Sequence, residues 1–483
     1  MTTGARWLCS TLLVLSASGV GCGATDNVIG ALLGRAGGDA GGPNAGGGGS
    51  ANGNGNSQGG KASGFSGASS VEPGAGSGSA TTRGVPGQSD GGMSGTVAQL
   101  TAGAAGDMLL TSGGVGNSTP GAMTNAAGKA GGGAAVASAG TFQPALEYPA
   151  GNSTRSLALG DLNGDGSLDA VVASWGTGEV GVLLGSDQGF LPMVSYEMGD
   201  AVNYVALGDL NGDAKLDVTA VNYYSDTVKV RLGAGDGTLL AESQYPGGAD
   251  MFSVVLGDVN GDGKFDAVTS NGDSGAVSVL LGVGNGAFGE AHYFATGGAG
   301  FSVALADVNG DGRLDLARTN ADANTVSVLF GTGAGSFVPN ADYPTGKHPI
   351  FVTFGDVNGD GQPDLVTADS SSNEVSVLLA TSNGKFMTRV GYATDSYPSY
   401  VLLADLNGDG RLDMVSANTF ASTASVFKAL GEGTFASKLS YRVGYNPEAI
   451  SVGDLNRDGV LDLAIVNQGS SNVSVLLGQA AQN

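Results

Sequence analysis

Asp161, Asn163, Asp165 and Asp169 lie within one nine-residue stretch, DLNGDGSLD, that follows the pattern DxNxDGxxD. Hard cations such as Ca2+ take oxygen ligands from carboxylates, side-chain amides and backbone carbonyls. Positions 1, 3, 5 and 9 of the stretch offer side-chain oxygens, and position 7 offers the carbonyl oxygen of Ser167. This spacing therefore predicts a calcium loop.

The pattern occurs seven times along the chain. Its first aspartates are 48 residues apart once and 49 residues apart thereafter, so one structural unit is repeated at a fixed period. No copy has the acidic residue at position 12 that would complete an EF-hand loop. Up to seven Ca2+ ions are therefore expected. The predicted ligands are Asp161, Asn163, Asp165, Ser167, Asp169, Asp209, Asn211, Asp213, Lys215, Asp217, Asp258, Asn260, Asp262, Lys264, Asp266, Asp307, Asn309, Asp311, Arg313, Asp315, Asp356, Asn358, Asp360, Gln362, Asp364, Asp405, Asn407, Asp409, Arg411, Asp413, Asp454, Asn456, Asp458, Val460 and Asp462.

Three loops depart from the pattern. Ala214 stands at position 6, where the other six loops have glycine. If this position needs a positive φ, alanine costs about 1 kcal/mol there. Arg457 brings a positive charge into the seventh loop, and Pro363 stiffens the fifth. We expect the second loop to bind calcium most weakly.

Each repeat contains four short segments with strand character. In the third copy they are SVVLGDV, FDAVTSN, AVSVLLG and GAFGEAHYF, which are rich in β-branched and aromatic residues and are bounded by Gly, Asn and Asp. Four strands per repeat are typical of one propeller blade. The predicted fold is all-β, a seven-bladed β-propeller with four-stranded blades.

The two ends of the repeat array complement each other. The last copy stops after VSVLLG, residues 473–478, without a fourth strand. TFQPALEYP, residues 141–149, precedes the first copy and has the Phe and Tyr-Pro of a fourth strand. We expect this N-terminal strand to complete the seventh blade and close the ring.

Residues 22–140 have a different composition. They are rich in Gly, Ala, Ser and Asn and contain no Tyr, so they cannot bury enough apolar surface to offset chain entropy. We predict a disordered linker at 22–140, followed by the propeller at 141–483. The whole excess of negative charge, -24, lies in the propeller, which argues against nucleic acid as a partner. Both cysteines precede it, so the propeller has no disulfide or thiolate site.

Residues 1–21 have the features of a signal peptide. A basic residue, Arg6, precedes the apolar run WLCSTLLVLSASGV, which is too short to span a bilayer as a helix. Residues 19–22, GVGC, resemble the lipobox of bacterial lipoproteins, although Gly19 stands where Leu is usual. The resemblance implies a lipid on Cys22, and hence an exported lipoprotein of the outer membrane or cell surface that meets the membrane only through that lipid. An ordinary signal and a secreted protein are the alternative.

The repeats resemble the FG-GAP/VCBS family in the DLNGDGxLD loops, the downstream VSVLLG and a GxF such as residues 286–288. That family includes the integrin α head, some lectins and many bacterial surface proteins. The resemblance covers about 340 residues. It implies a calcium-stabilised propeller that binds ligands on the face opposite the calcium loops. The literal GAP string is absent, so the likeness is to the repeat superfamily rather than to an integrin.

A ligand site on a repeated scaffold must break its symmetry. Large aromatic residues break the symmetry in loops that we expect on the face opposite the calcium loops. There they could stack on sugars or on a protein. Packing between blades is the alternative role. The predicted ligand residues are Trp175, Tyr204, Tyr223, Tyr224, Tyr397, Tyr400, Phe420 and Tyr445.

These features predict a monomeric, non-enzymatic recognition or adhesion module with an extracellular glycan or protein ligand. The two histidines, His292 and His348, have no cysteine nearby, and the repeats show no odd carboxylate pair. A polysaccharide lyase or hydrolase on the same face is one alternative. A structural spacer without a ligand is the other.

Overall fold

A computed structural model describes residues 138–272 and 274–481. The expected signal peptide, Cys22 and residues 22–137 of the expected linker lie outside these ranges. The first strand begins at Ser138, three residues before the expected start of the propeller.

The described residues form strands and no helix, so none of their segments is a helix that could cross a bilayer. Blades 1 to 4 each consist of four consecutive strands. Blade 1 is β3 (Thr154–Gly160), β4 (Asp169–Ser174), β5 (Glu179–Leu183) and β6 (Val194–Glu197). Blade 2 is β7 (Val202–Gly208), β8 (Asp217–Asn222), β9 (Thr227–Gly233) and β10 (Leu239–Pro246). Blade 3 is β11 (Met251–Gly257), β12 (Asp266–Asn271), β13 (Ala276–Gly282) and β14 (Phe288–Ala295). Blade 4 is β15 (Val303–Ala306), β16 (Asp315–Asn320), β17 (Thr325–Gly331) and β18 (Phe337–Pro344).

Blades 5 and 6 each contain an extra two-stranded hairpin between the third and fourth strands. Blade 5 is β19 (Pro349–Gly355), β20 (Asp364–Asp369), β21 (Glu374–Leu378) and β24 (Val390–Ala393), with the hairpin β22 (Ala380–Thr381) and β23 (Lys385–Phe386). Blade 6 is β25 (Pro398–Ala404), β26 (Asp413–Asn418), β27 (Thr423–Phe427) and β30 (Leu439–Arg442), with the hairpin β28 (Ala429–Gly431) and β29 (Thr434–Phe435).

Blade 7 combines strands from both ends of the array. Its sheet is β31 (Pro447–Gly453), β32 (Asp462–Asn467), β33 (Asn472–Leu476) and, as fourth strand, β2 (Leu146–Pro149). Tyr148 pairs with Val473 in this antiparallel sheet. Outside it, β1 (Ser138–Phe142) pairs with β34 (Gly478–Ala480).

Burial follows strand position in every blade. All residues of the seven second strands are buried, whereas several fourth strands are mostly exposed. The inner strands are covered on both faces by the neighbouring blades, so they carry continuous runs of Val, Leu and Ala. The fourth strands are sheet edges and alternate between partly buried and exposed residues.

One aromatic contact recurs around the outside of the ring. A Tyr or Phe of the fourth strand meets edge-on a Phe in the next blade, with ring centroids 5.2 to 5.9 Å apart. This Phe ends a GxF segment in four of the pairs and is Phe190, directly after Gly189, in the fifth. Between blades 1 and 2 an aliphatic residue, Leu239, replaces the Phe, and Tyr196 packs against its cluster. The aromatic pairs are Tyr148–Phe190, Tyr245–Phe288, Phe294–Phe337, Tyr343–Phe386, Tyr392–Phe435 and, through β1, Tyr441–Phe142.

Three large rings from the first strands fill the axis of the propeller. Phe351 and Tyr400 lie 3.8 Å apart between ring centroids. The hydroxyl of Tyr204, from blade 2, lies 3.4 Å from that of Tyr400, from blade 6. The same register position in the other blades is Ser or Ala, so three large side chains suffice to fill the axis.

The antiparallel order places the loops on two faces. Loops between first and second strands, which contain the DxNxDGxxD stretches, lie on one face, named here the metal-loop face. Loops between second and third strands, and those entering each blade, lie on the other, named here the entry face.

Candidate metal loops and recognition face

The first aspartate of each metal loop organises the turn that follows it. In the first loop, Asp161 Oδ1 accepts the N–H of Gly164 at 2.7 Å, and Asp161 Oδ2 accepts the N–H of Gly166 at 2.8 Å. The bond from position 6 recurs at 2.8 Å in all seven loops. The carboxylate therefore folds the loop around itself.

Positions 3 and 5 stabilise the rest of the turn. Asn163 Oδ1 accepts the N–H of Asp165 at 2.9 Å, and Asp165 Oδ1 accepts the N–H of Ser167 at 2.7 Å. The same two bonds occur in the other six loops. The seven loops thus share one conformation, as their shared sequence predicts.

Position 9 connects the loop to the sheet. Asp169 is fully buried; its Oδ2 accepts the N–H of Leu162 at 2.8 Å, and its Oδ1 accepts the N–H of Gly185, beyond the third strand, at 2.7 Å. Each oxygen has one lone pair left for a cation. Burial, with the nearby Asp161 and Asp165, raises the pKa of Asp169 to about 6.

The other six loops show the same electrostatic crowding at position 9. In each loop burial is the largest cause of the raised pKa of this aspartate, and the carboxylates at positions 1 and 5 raise the pKa further. The pKa is raised to about 6 in Asp217, Asp266, Asp364 and Asp413, and to about 7 in Asp315 and Asp462.

The donor set of each loop mixes carboxylates with an amide and a carbonyl. Within residues 138–272 and 274–481, no group of three or more His, Cys, Asp or Glu side chains is placed so that it could hold a metal ion. Asp413 Oδ2 is nevertheless buried without a hydrogen-bond partner. A buried carboxylate oxygen in that state favours a cation or a proton. The oxygen-only donor set fits a hard cation, which would take the side chains at positions 1, 3, 5 and 9 and the carbonyl at position 7.

Two of the three unusual loop residues adopt strained backbone. Ala214 has φ of +62° and Arg457 has φ of +60°, both in the left-handed region. The expectation that Arg457 places its charge inside the seventh loop is wrong. Its guanidinium crosses to the first loop, where it donates to the carbonyl of Asp165 at 2.7 Å and to that of Gly166 at 3.1 Å. The reason is that position 4 points its side chain outward, toward the neighbouring blade.

Aromatic side chains form a continuous arc on the entry face. Trp175 of blade 1 meets Tyr223 of blade 2, which meets Phe252 of blade 3, each with centroids 5.2 Å apart. Phe252 meets Phe301 at 4.6 Å, and Phe301 meets the ring of His348, at the start of blade 5, at 5.7 Å. Burial lowers the pKa of His348, which favours a neutral ring in this arc.

Three predicted ligand residues are strongly exposed on this face. Tyr224, exposed by 68%, contacts both Trp175 and Tyr223. Phe420, also exposed by 68%, lies against Tyr397 with centroids 4.3 Å apart, and Tyr445 is exposed by 73%. Blades 1, 2, 6 and 7 thus carry exposed or partly exposed rings.

Tyr204 and Tyr400 are the exceptions, and their predicted place on the exposed face is wrong. They are only 8% and 2% exposed, because they occupy the third position of a first strand and point into the axis. They belong to the core.

Sequence reasoning missed four residues of the entry face. Phe252, Phe301, Arg155 and Glu448 all occupy the second register position of a first strand or of the segment that enters it. The Arg155 guanidinium lies 4.9 Å from the centroid of the Trp175 ring, and its Nη1 is 3.9 Å from Glu448 Oε2. Burial raises the pKa of Glu448, while Arg155 opposes that rise. Aligning the seven first strands and reading this one position would have found all four.

A family model described as the FG-GAP-like repeat matches six overlapping segments of the chain. Together they extend from residue 161 to residue 465 and contain all the metal loops. The segments are 161–220, 209–269, 266–318, 307–367, 356–416 and 405–465. No curated protein matches the chain.

Several solved structures are similar to the chain at low sequence identity. BBS1N, in complex with ARL6DN, has a TM-score of 0.53 and 11% identity, and the match covers 71% of this chain and 98% of that one. Virginiamycin B lyase from Staphylococcus aureus has a TM-score of 0.49 and 10% identity, over 70% of this chain and 99% of that one. An Agrocybe aegerita lectin that recognises non-reducing terminal N-acetylglucosamine has a TM-score of 0.45 and 18% identity, over 68% and 85%. Of these, the likeness to BBS1N shows the fold alone.

Proposed function

Because the chain belongs to the FG-GAP-like repeat family, we propose that it is a calcium-stabilised, non-enzymatic recognition module that binds an extracellular glycan or protein. The family and the propeller fold are consistent with a ligand-binding module. The entry face is the proposed binding surface, and the metal loops on the other face stabilise the ring.

The aromatic arc is the observation that carries this proposal. The arc joins rings from five blades into one surface. The metal-loop face, in contrast, repeats the same polar turn seven times. Aromatic rings offer large rigid faces for stacking on sugar rings or on apolar protein side chains. A repeated scaffold acquires a specific site where it departs from its repeat.

Arg155 and Glu448 add a polar group beside the arc. Among the seven residues at their register position they are the only charged ones, and they come from adjacent blades 1 and 7. Arg155 lies over Trp175, so a ligand stacked on the arc would find donors and an acceptor within reach. This combination suits a hydroxyl-rich glycan or a polar peptide segment.

The proposed calcium sites explain the charge of the loops. Each loop contains three aspartates, and burial together with repulsion from the other two raises the pKa of the aspartate at position 9. A divalent cation would neutralise this charge without a proton. Calcium is thus proposed as a structural ion that strengthens the turn between the two innermost strands of each blade.

The membrane attachment proposed from the sequence concerns residues outside the described ranges. A lipid on Cys22, with residues 22–137 as a long tether, would hold the propeller away from a bacterial outer membrane or cell surface. Labelling with a lipid precursor, compared between the parent and Cys22→Ala, tests this part separately.

Glycan and protein arrays probed with the full chain in calcium test the proposed binding. Tyr224→Ala should weaken binding, because it removes an exposed ring of the arc. Tyr293→Ala is the matched control, since this tyrosine is also 60% exposed but lies on the outer strand of blade 3. Blank arrays would favour a spacer, and the release of oligosaccharides from a bound polysaccharide would favour an enzyme. Equal losses in the two variants would contradict a site on the arc.

A further inference from the structure

Six of the seven metal loops contain an Asn-Gly pair at positions 3 and 4. An asparagine before glycine is open to a well-defined reaction, in which the glycine nitrogen attacks the side-chain amide carbon and ammonia leaves. Glycine permits this attack because it has no Cβ beside the attacking nitrogen. Water then opens the cyclic imide to aspartate or to isoaspartate, so the net change replaces NH2 by OH without any redox partner. The pairs are Asn163–Gly164, Asn211–Gly212, Asn260–Gly261, Asn309–Gly310, Asn358–Gly359 and Asn407–Gly408.

The surroundings of these pairs leave room for the reaction. All six glycines are exposed, and nothing lies within 4 Å of the place that a Cβ would occupy. The six asparagines are partly exposed, so water can reach the cyclic intermediate. Steric protection is therefore absent at these six pairs.

Both reacting groups are tied to proposed calcium ligands. In the first loop the Gly164 N–H donates to Asp161 Oδ1 at 2.7 Å, and the Asn163 Oδ1 accepts the N–H of Asp165 at 2.9 Å. A cation bound to Asp161 and Asn163 would fix the nucleophile and the amide apart. Without the cation, only exposed hydrogen bonds restrain them, and such bonds open readily.

We propose that the six loop asparagines are deamidation sites that calcium protects and that calcium loss exposes. This inference rests on the proposed calcium binding. The product isoaspartate adds one methylene to the backbone inside the loop, so it should abolish the site. Loss of calcium would then leave a permanent chemical change in each empty loop.

The chain contains two internal controls. In the seventh loop Asn456 precedes Arg457, whose side chain obstructs the attacking nitrogen. Asn271 precedes Gly272, but it is buried; Thr269 Oγ1 donates to its Oδ1 at 2.9 Å, and its Nδ2 donates to Ser278 Oγ at 2.6 Å. A Cβ on Gly272 would meet the Phe252 ring at 2.6 Å. Neither asparagine should react, with or without calcium.

Peptide mass mapping of the full chain tests the proposal. The chain is incubated at mildly alkaline pH with calcium or with a chelator, and each peptide is followed for a gain of about one mass unit. The six loop peptides should convert at least an order of magnitude faster in chelator, while those with Asn271 and Asn456 stay unchanged. Arg457→Gly should make Asn456 a seventh reactive site.

Equilibrium dialysis of the fresh chain against calcium distinguishes a failure of the protection proposal from a failure of the proposed function. If the chain binds calcium but the loops convert equally in both conditions, or do not convert in chelator, the protection proposal is overturned and the proposed function stands. If the fresh chain binds no calcium, both fail. Chain aged in chelator should lose about one bound calcium for each loop converted to isoaspartate, and undiminished binding after that conversion would contradict the predicted damage.

Discussion

Phe142 of β1 packs edge-on against Tyr441 of blade 6, with ring centroids 5.5 Å apart and planes at 88°. The same kind of pair joins other neighbouring blades, and in four of those pairs the two rings belong to consecutive repeats. Here one partner precedes the first repeat and the other lies in the sixth. The N-terminal strands therefore supply to the seventh blade the aromatic residue that the repeat itself lacks.

Phe142→Ala should destabilise the whole propeller. Phe142 is 6% exposed, and its truncation should lower the free energy of unfolding by about 3 to 5 kcal/mol, as for other buried phenylalanines. Urea unfolding of the full chain measures this change. Leu146→Ala, in the adjacent strand β2 but 46% exposed, is the control and should cost far less. Equal effects of the two substitutions would contradict a role for Phe142 in joining the ring.

Ala214→Gly should stabilise the second metal loop. Ala214 has φ of +62°, so glycine relieves about 1 kcal/mol of backbone strain. Calorimetric titration should show tighter calcium binding in the variant. Gly263→Ala is the reverse change in the third loop, where φ is +79° and nothing surrounds the missing Cβ, so only strain can act. This substitution should weaken calcium binding by a similar factor. A change of calcium affinity in the same direction in both variants would contradict the prediction.

Asp369 should make the protein less stable as pH rises through the range of about 4 to 6. Burial raises its pKa from 3.8 to about 6, with Ser376, Thr367 and the Gly346 N–H opposing the rise. The folded state therefore holds the proton more tightly than the unfolded chain, and this contribution to stability is lost above the folded pKa. Asp369→Asn should raise the free energy of unfolding by roughly 1 to 3 kcal/mol at neutral pH and have little effect near pH 4.

The equivalent residue in blade 6 provides the reverse experiment. Asn418 accepts a hydrogen bond from Ser416 Oγ at 3.0 Å and donates one to Ser425 Oγ at 2.9 Å. Asn418→Asp should introduce the pH dependence that Asp369→Asn removes. Parallel pH profiles for the parent and both variants would show that burial does not shift these carboxyl groups.

Arg318 should be essential to the contact between blades 3 and 4. It is fully buried, and its guanidinium donates to the carbonyls of Gly298 at 2.8 Å, Asn271 at 3.0 Å and Gly272 at 3.2 Å. Arg318→Ala leaves these acceptors without their donor, so we expect a loss of at least about 3 kcal/mol in unfolding free energy. Arg442→Ala, at an exposed arginine, should change it by less than about 1 kcal/mol. Similar thermal unfolding of the two variants would be inconsistent with this role.

The period of the sequence was sufficient to predict the architecture. One loop pattern at a spacing of 49 residues fixed the number of blades, and strand character within one copy fixed four strands per blade. The missing last strand and the TFQPALEYP segment indicated the pairing of β2 with β33. These features are local or strictly repeated, so a single sequence displays them.

Side-chain direction was harder to predict. Tyr204 and Tyr400 lie in first strands, where adjacent residues point to different surroundings, and a shift of one register position separates the axis from the entry face. The sequence places Arg457 in its own loop, but its partners lie in the neighbouring blade, about which sequence distance says nothing. The arc through Phe252 and Phe301 depends on contacts between blades, which no single repeat reveals.

Equilibrium dialysis of the full chain against calcium, with melting followed in parallel, shows whether the seven loops hold the ion and stabilise the ring. We expect up to seven bound ions per chain, the second loop filling last, and a melting temperature that rises with calcium and falls in excess chelator. No bound calcium, together with identical melting in calcium and chelator, would contradict this expectation.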